Sequence, residues 1–163
     1  MTTGSQTTSL SIIIALCSTL FLGSCDGRMV YENIADVPDK EWKANAPVNF
    51  AIPVEDTISL QNILITVQNA TNYKYSNLFL FVTTTSPSGA TVCDTLEVQL
   101  ADDKGRWYGK GFSRYYDLRV QYKHLIKFPL KGDYTISIAH GMREESLEGI
   151  VKVGVRVEQA KNK

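Results

Sequence analysis

The residue whose neighbours most clearly specify a chemical reaction is Cys25. It follows a leucine, a glycine and a serine, and it closes an apolar run that begins near Leu10. A large aliphatic residue, two small residues and then a cysteine are typical of a bacterial lipobox, in which the thiol is alkylated by a diacylglyceryl group and the chain is cut before the cysteine. This spacing predicts that residues 1–24 are a lipoprotein signal peptide and that Cys25 is the lipid attachment residue.

The alternative for the same run is a helix that stays in the membrane. The run Leu10–Leu22 is about 13 residues long, whereas a membrane-spanning helix needs about 20. The preceding residues, Met1–Ser9, carry no Lys or Arg, which departs from ordinary secretory signals. Because the run is too short to span, we expect a cleaved signal and a protein held at the membrane by lipid.

Few other side chains could bind a metal ion or act as a nucleophile. The chain has three cysteines; Cys17 leaves with the signal peptide and Cys25 is lipidated, so Cys93 has no thiol partner for a disulfide or a metal cluster. The two histidines, His124 and His140, are not at zinc-binding spacing and fit strand-end core positions. We therefore expect no metal ion and no cofactor.

Three carboxylates, Asp56, Asp94 and Glu97, could supply the acid and base of a glycosidase. The sequence does not fix whether any two of them lie ~5–9 Å apart, as such an enzyme requires, and it contains no G-x-S-x-G nucleophile motif. The 17 basic and 17 acidic residues balance, which gives no electrostatic case for binding nucleic acid. We expect a protein that is not an enzyme, with no small-molecule substrate evident.

The elements that position these residues are predicted to be strands. From residue 46 onward, apolar and polar residues alternate between turn sequences, without a helix of useful length. Seven to nine short strands at this spacing predict an all-β, antiparallel β-sandwich, either jelly-roll or immunoglobulin-like. We predict a tether over 25–45 and a single sandwich domain over 46–160. The alternation in Val151–Val157 predicts one buried and one solvated face.

Aromatic residues near several glycines form the candidate docking surface. Trp107 and Tyr108, with Tyr115 and Tyr116 close in sequence, could stack on a sugar or contact a protein. The same residues could equally be the inward rows of two strands. An exposed row would favour a lipid-anchored carbohydrate-binding module, whereas a buried row would remove that reading.

Short strings along the chain occur in an order and spacing that resembles the gliding motility lipoprotein GldH family. The resemblance runs through essentially the whole chain after the lipobox. The strings include Cys25-Asp26, Val30-Tyr31-Glu32, Tyr73-Lys74-Tyr75-Ser76-Asn77-Leu78, Gly105-Arg106-Trp107-Tyr108-Gly109-Lys110-Gly111, Gly132-Asp133-Tyr134 and Leu147-Glu148-Gly149-Ile150.

The resemblance implies a non-enzymatic, membrane-anchored accessory protein of the envelope machinery for surface gliding and its associated secretion system. Its partners would be the membrane, through the lipid, and other envelope proteins. The family favours the outer membrane, and Asp26-Gly27-Arg28 lacks the acidic run typical of surface-exported lipoproteins, so we expect the body to face the periplasm. No catalytic residue is carried over from the family.

Two threonines are candidate O-glycosylation sites. Asp56-Thr57-Ile58 and Asp94-Thr95-Leu96 resemble the Asp-Thr-aliphatic acceptor used for envelope proteins in bacteria with this lipoprotein. Asp-Thr before a strand is also ordinary turn chemistry. We predict that Thr57 or Thr95 is modified.

Overall fold

The computed structural model describes residues 28–161, which form eleven strands and one 3-10 turn, Pro38–Lys40. The predicted signal peptide and Cys25 lie outside the described residues. The strands in chain order are β1 (Met29–Asp36), β2 (Glu41–Lys43), β3 (Val48–Val54), β4 (Gln61–Ala70), β5 (Asn77–Thr85), β6 (Thr91–Gln99), β7 (Lys110–Phe112), β8 (Tyr115–Ile126), β9 (Gly132–His140), β10 (Ser146–Glu148) and β11 (Ile150–Gln159). Over this range no helix is long and apolar enough to cross a membrane.

The strands form two antiparallel sheets and a small ribbon. One sheet has the order β1-β11-β4-β8-β7, the other has the order β3-β9-β5-β6, and β10 pairs with β2. Their inner faces share one core of buried side chains, which confirms the predicted all-β sandwich. Eight strands have seven or more residues, within the expected seven to nine, while β2, β7 and β10 have three each and are too short to show a period.

The strand order identifies the sandwich as a jelly roll. Among the eight long strands, the first pairs with the eighth, the second with the seventh, the third with the sixth and the fourth with the fifth. This pairing arises when one long antiparallel hairpin is rolled up. Each arm of the hairpin then contributes strands to both sheets. Of the two predicted topologies, the structure therefore has the jelly roll.

Part of the predicted tether over 25–45 forms a strand in the structure. β1 lies within that range and pairs with β11 from Met29 to Asp36, and Trp42 is 1% exposed. The sequence concealed β1 because it is an edge strand whose side chains are mostly exposed, so its apolar residues follow no clear period. The folded body thus begins only a few residues after Cys25.

The face of β11 that the sequence predicted to be solvated is covered in the structure, so this prediction is wrong. Val153, Val155 and Val157 are buried in the core as expected, but Arg156, on the opposite face, is only 6% exposed. β11 lies between β1 and β4, so the side chains of both neighbours cover its outer face. At Gly154, a Cβ atom would lie 2.7 Å from Ile34 Cγ1. Glycine is therefore required at this position, where Ile34 of β1 is its cross-strand partner.

Candidate functional site

The two residues of the predicted docking surface, Trp107 and Tyr108, lie in different surroundings. Trp107 is half-buried, packs against the core and lies 6.1 Å from the Tyr116 ring, measured between centroids. Tyr108 is 57% exposed, and its backbone N–H donates to the Leu100 carbonyl oxygen at 2.8 Å. Trp107 therefore follows the inward-row interpretation, and Tyr108 does not belong to an exposed row with it.

The two candidate glycosylation residues lie in different surroundings. Thr57 is half-buried in the loop between β3 and β4, where Asp56 Oδ1 accepts hydrogen bonds from the backbone N–H groups of Ile58 and Ser59 at 2.8 and 2.9 Å. Bonds from the Ser59 side chain and from these N–H groups lower the pKa of Asp56 to about 2, so the loop is held by a charged carboxylate. Thr95 is exposed on β6, opposite Phe81 of β5.

The three carboxylates considered for glycosidase chemistry serve separate structural roles. Asp94 accepts a hydrogen bond from Tyr122 Oη at 2.6 Å and pairs with Lys123 Nζ at 2.8 Å, and these contacts, that of Lys123 first, lower its pKa. Glu97 is three residues further along the same strand and so points to the opposite face, where it accepts from Asn77 Nδ2 at 2.8 Å. Asp56 caps its own loop.

The carboxylate Asp94 lies beside an apolar groove of about 600 Å³ between the edges of the two sheets. Tyr122, Ile126, Phe128 and Leu130 contribute to its lining. Among the described residues no group of three or more His, Cys, Asp or Glu side chains could hold a metal ion. The groove therefore offers apolar surface with one carboxylate at its side, which is ion-paired with Lys123.

His140 occupies the strand-end core position that the sequence indicated, whereas the same prediction for His124 is wrong because its side chain is exposed. His140 is 2% exposed and makes an edge contact with the Trp42 ring at 5.6 Å between centroids. Burial lowers the pKa of His140, so the imidazole is neutral near pH 7. His124 is exposed, with Nδ1 3.0 Å from Asn62 Oδ1.

An exposed apolar area lies on the outer side of the four-stranded sheet, and it was not singled out from the sequence. β5 is apolar on both faces: Leu80 and Val82 are fully buried, while Phe81 is 44% exposed. Phe79 is half-buried on the same outer face. We call this area the Phe81 surface and define it by Tyr75, Phe79, Phe81, Gly141 and Met142.

Glycine and methionine shape the Phe81 surface. A Cβ atom at Gly141 would lie 3.0 Å from the Phe81 ring carbons Cε2 and Cζ, so the ring rests against bare backbone. Gly141 N–H donates to the Phe79 carbonyl oxygen at 2.7 Å, and Phe79 N–H donates to Met142 Sδ at 3.4 Å. A hollow of about 320 Å³ adjoins them, and Arg143 also lines it.

The strands flanking the Phe81 surface carry small, uncharged residues. Phe81 is opposite Thr95 on one side and Ala139 on the other, and the next outward residue, Thr83, is opposite Cys93 and Ser137. The exception among these cross-strand neighbours is Glu97, opposite Phe79. A partner covering this area would remove little charge from water, which is the property of the central part of protein interfaces.

The signal for this surface was present in the sequence. The run Leu78–Val82 is continuously apolar, yet in an antiparallel strand only alternate residues can face one core. The surplus aromatics Phe79 and Phe81 therefore had to face outward. A central strand of a half-solvated sheet with aliphatic residues on its inner face and aromatic residues on its outer face is a pattern that predicts a contact surface.

The fold and its surfaces define a jelly-roll β-sandwich with an exposed apolar area on one outer face. A family model described as GldH lipoprotein matches residues 29–157, so the chain belongs to the GldH lipoprotein family. It is 37% identical over 153 residues to a protein of Flavobacterium johnsoniae named gliding motility lipoprotein GldH, covering 90% of this chain and 94% of that protein. A GldH homolog of Christiangramia forsetii is 32% identical over 161 residues, covering 94% and 98% respectively.

Among solved structures, dimeric latent PorU of Porphyromonas gingivalis gives a TM-score of 0.30 at 9% sequence identity. The likeness covers 81% of this chain and 13% of that one. At this level it carries no argument about fold or function.

Proposed function

We propose that this chain is a lipid-anchored, non-catalytic accessory protein of the bacterial envelope machinery for gliding motility and its associated secretion system. It acts through protein–protein contacts made at the Phe81 surface. The support for the gliding assignment is the match over nearly the whole described body to relatives named gliding motility lipoproteins. The single observation that supports the mode of action is the half-exposed Phe81 on a nearly uncharged sheet face.

The partner at this surface is another protein of the machinery that presents an apolar and largely uncharged face. Aromatic residues, methionine and arginine are the types enriched at the centre of protein interfaces, and Phe79, Phe81, Met142 and Arg143 supply all three. The flanking Thr95 and Ala139 are short enough to let a flat partner reach the rings. A sugar would require an exposed aromatic row, and Trp107 packs inward instead.

The body is tethered through Cys25 to the outer membrane and faces the periplasm. Two or three acyl chains hold a protein stably, whereas one chain gives only reversible binding. Cys25→Ser is expected to block lipidation and cleavage, leaving a larger precursor on a denaturing gel. Protease added to intact cells should spare the protein and should digest it once the outer membrane is opened. Normal processing of the variant would contradict the anchor, and digestion in intact cells would contradict the orientation.

The Phe81 surface is testable through Cys93, which is exposed on the same face. A maleimide polymer should react with Cys93 in the purified protein and should react much more slowly in cells with permeabilised outer membranes, where the partner is bound. Phe81→Ser should restore the reaction in those cells and reduce colony spreading. Both measurements use a strain that lacks its own copy of the gene and expresses this chain.

The matched control is Tyr108→Ser, which removes an exposed aromatic ring outside the Phe81 surface. It should leave Cys93 protected and spreading intact. If Tyr108→Ser abolishes spreading and Phe81→Ser does not, the contact surface is at Tyr108. An exposed single-carboxylate variant outside the Phe81 surface, such as Asp117→Asn, that is stable, anchored and inactive would contradict the non-catalytic assignment.

A further inference from the structure

One end of the sandwich carries most of the exposed large apolar side chains. We call it the anchor end, because β1 begins there. It is made of residues 28–30, the loops 55–60, 86–90 and 127–131, the last two residues of β8 and residues 159–161. Six of the ten exposed large hydrophobic side chains of the described residues lie there: Met29, Val30, Ile58, Leu60, Leu125 and Leu130.

Backbone hydrogen bonds and strand register place these segments together. Gln159 N–H donates to the Arg28 carbonyl oxygen and Ala160 N–H to the Leu60 carbonyl oxygen, both at 2.8 Å. In the five-stranded sheet, Gln61 is opposite both Gln159 and Ile126.

The loops of the other sheet end at the same place. Val54 is opposite Gly132, and a Cβ atom at Gly132 would lie 3.1 Å from the Pro87 ring. The loops at 55–60, 86–90 and 127–131 therefore border one common end.

A lipid on Cys25 would hold the anchor end close to the bilayer, because only a short stretch of chain separates them. Arg28 follows Cys25 by three residues, and three residues of fully extended chain reach at most about 11 Å. The longest strand, β8, has 12 residues and spans about 40 Å. The body therefore cannot hang away from the bilayer, and whichever part surrounds Arg28 lies closest to it.

We propose that the anchor end rests on the bilayer surface, so that the sandwich stands upright with its far end directed away from the membrane. The occupant of this apolar end is the lipid headgroup and upper acyl region. Ile58, the most exposed of the six at 79%, enters first. This inference rests on the proposed lipid attachment at Cys25.

The charges of the anchor end suit a shallow contact. Lys127 and Lys131 lie at the two ends of the loop that carries Leu130, and long cationic side chains can lay their stems along apolar surface while the ammonium stays among headgroups. Glu55 and Asp56 lie in the loop that carries Ile58. Because Asp56 stays ionised, deep insertion of this loop is opposed, and the contact stops at the interface.

The test uses the mature lipidated protein with a single fluorescent label. Cys93→Ser removes the exposed thiol of the described body, and either Ser88→Cys or Lys104→Cys adds one for an environment-sensitive maleimide dye. Ser88 is exposed at the anchor end, and Lys104 is exposed in the turn at the far end. The protein is placed in vesicles of phosphatidylethanolamine and phosphatidylglycerol containing a spin-labelled lipid as a quencher.

We expect the dye at position 88 to be quenched and blue-shifted, and the dye at position 104 to remain as in solution. Ile58→Asn with Leu130→Asn should reduce quenching at position 88 several-fold, while the protein still floats with the vesicles. Equal quenching at both positions, or none at position 88 in protein that floats, would overturn the upright orientation. Failure to float, or labelling of the Cys93→Ser parent at Cys25, would overturn the lipid anchor itself, and the orientation with it.

Discussion

Arg156 Nη1 donates to Glu32 Oε2 at 3.0 Å across the β1–β11 pair. The same arginine bonds through Nε to Glu158, and Glu32 also accepts from Arg119 Nη2 at 2.6 Å. The Arg156 side chain is 8% exposed. One buried guanidinium therefore joins the first strand of the fold to the last, on the face that the sequence indicated would be solvated.

Removing that guanidinium should loosen β1. Arg156→Met keeps the length of the side chain but leaves the carboxylates of Glu32 and Glu158 facing each other without their shared cation. Breaking a buried ion pair by removing one partner costs about 3–5 kcal/mol, and we expect the lower part of this range because the carboxylates are partly exposed. Urea unfolding measures the loss, and adding Glu158→Gln should restore part of it. An unchanged midpoint would contradict the role of this cluster.

A charge in the core should unfold the protein. Val153 is 0% exposed, so Val153→Asp places a carboxylate among aliphatic side chains with no partner, at a cost of several kcal/mol against a total stability of about 5–15. The variant should be degraded in cells, and its complex should be lost with it. Val92→Asp is the matched control because Val92 is 60% exposed on β6; it should remain folded, as measured by thermal unfolding.

Stability should fall in mildly acidic solution because of His140. Burial lowers its pKa from the ordinary value near 6.5, so the unfolded chain takes up a proton at this residue before the folded chain does. The unfolding free energy is therefore complete above pH 6.5 and decreases as the pH falls below it, by at most about 1.4 kcal/mol per pH unit. Urea midpoints of the wild type and His140→Leu, compared at pH 7.5 and 5.5, isolate this contribution. An equal decrease of the urea midpoint in both proteins would mean that the pH dependence comes from other groups.

Glycosylation should occur at Thr57 rather than at Thr95. A glycan on Thr95 would lie directly beside Phe81 and would cover the surface proposed for the partner. Thr57 lies in the loop 55–60 of the anchor end, where a polar glycan would stay at the level of the lipid headgroups and would oppose only deep insertion. Intact mass of the mature protein should exceed polypeptide plus lipid, and Thr57→Ala should remove the excess while Thr95→Ala does not. A mass equal to polypeptide plus lipid would dispose of the modification at both sites.

The sequence predicted the features that depend on strand period. The buried valines of β11 and the inward position of His140 both follow from alternation. The period could not show which strands are neighbours. It therefore missed β1, whose exposed edge leaves no pattern, and the cover over Arg156, which depends on side chains of β1 and β4.

The candidate site was the least predictable part for the same reason. Trp107 and Tyr108 are adjacent and aromatic, but their exposure depends on Tyr116, which reaches Trp107 only once β8 is in place. Phe81 could have been found from the surplus of apolar residues in Leu78–Val82. The strand that carries it, β5, is central in its sheet, and a central position is set by long-range pairing.

The position of β1 has a mechanical consequence. A load between the lipid and a partner on the opposite sheet would pull β1 along its own axis, because the chain leaves the body where β1 begins. The ladder between Met29 and Asp36 is then strained in shear, with its hydrogen bonds sharing the force together rather than opening one after another. The pairing of β1 with β11 would thus resist a force that pulls the body away from a lipid anchor.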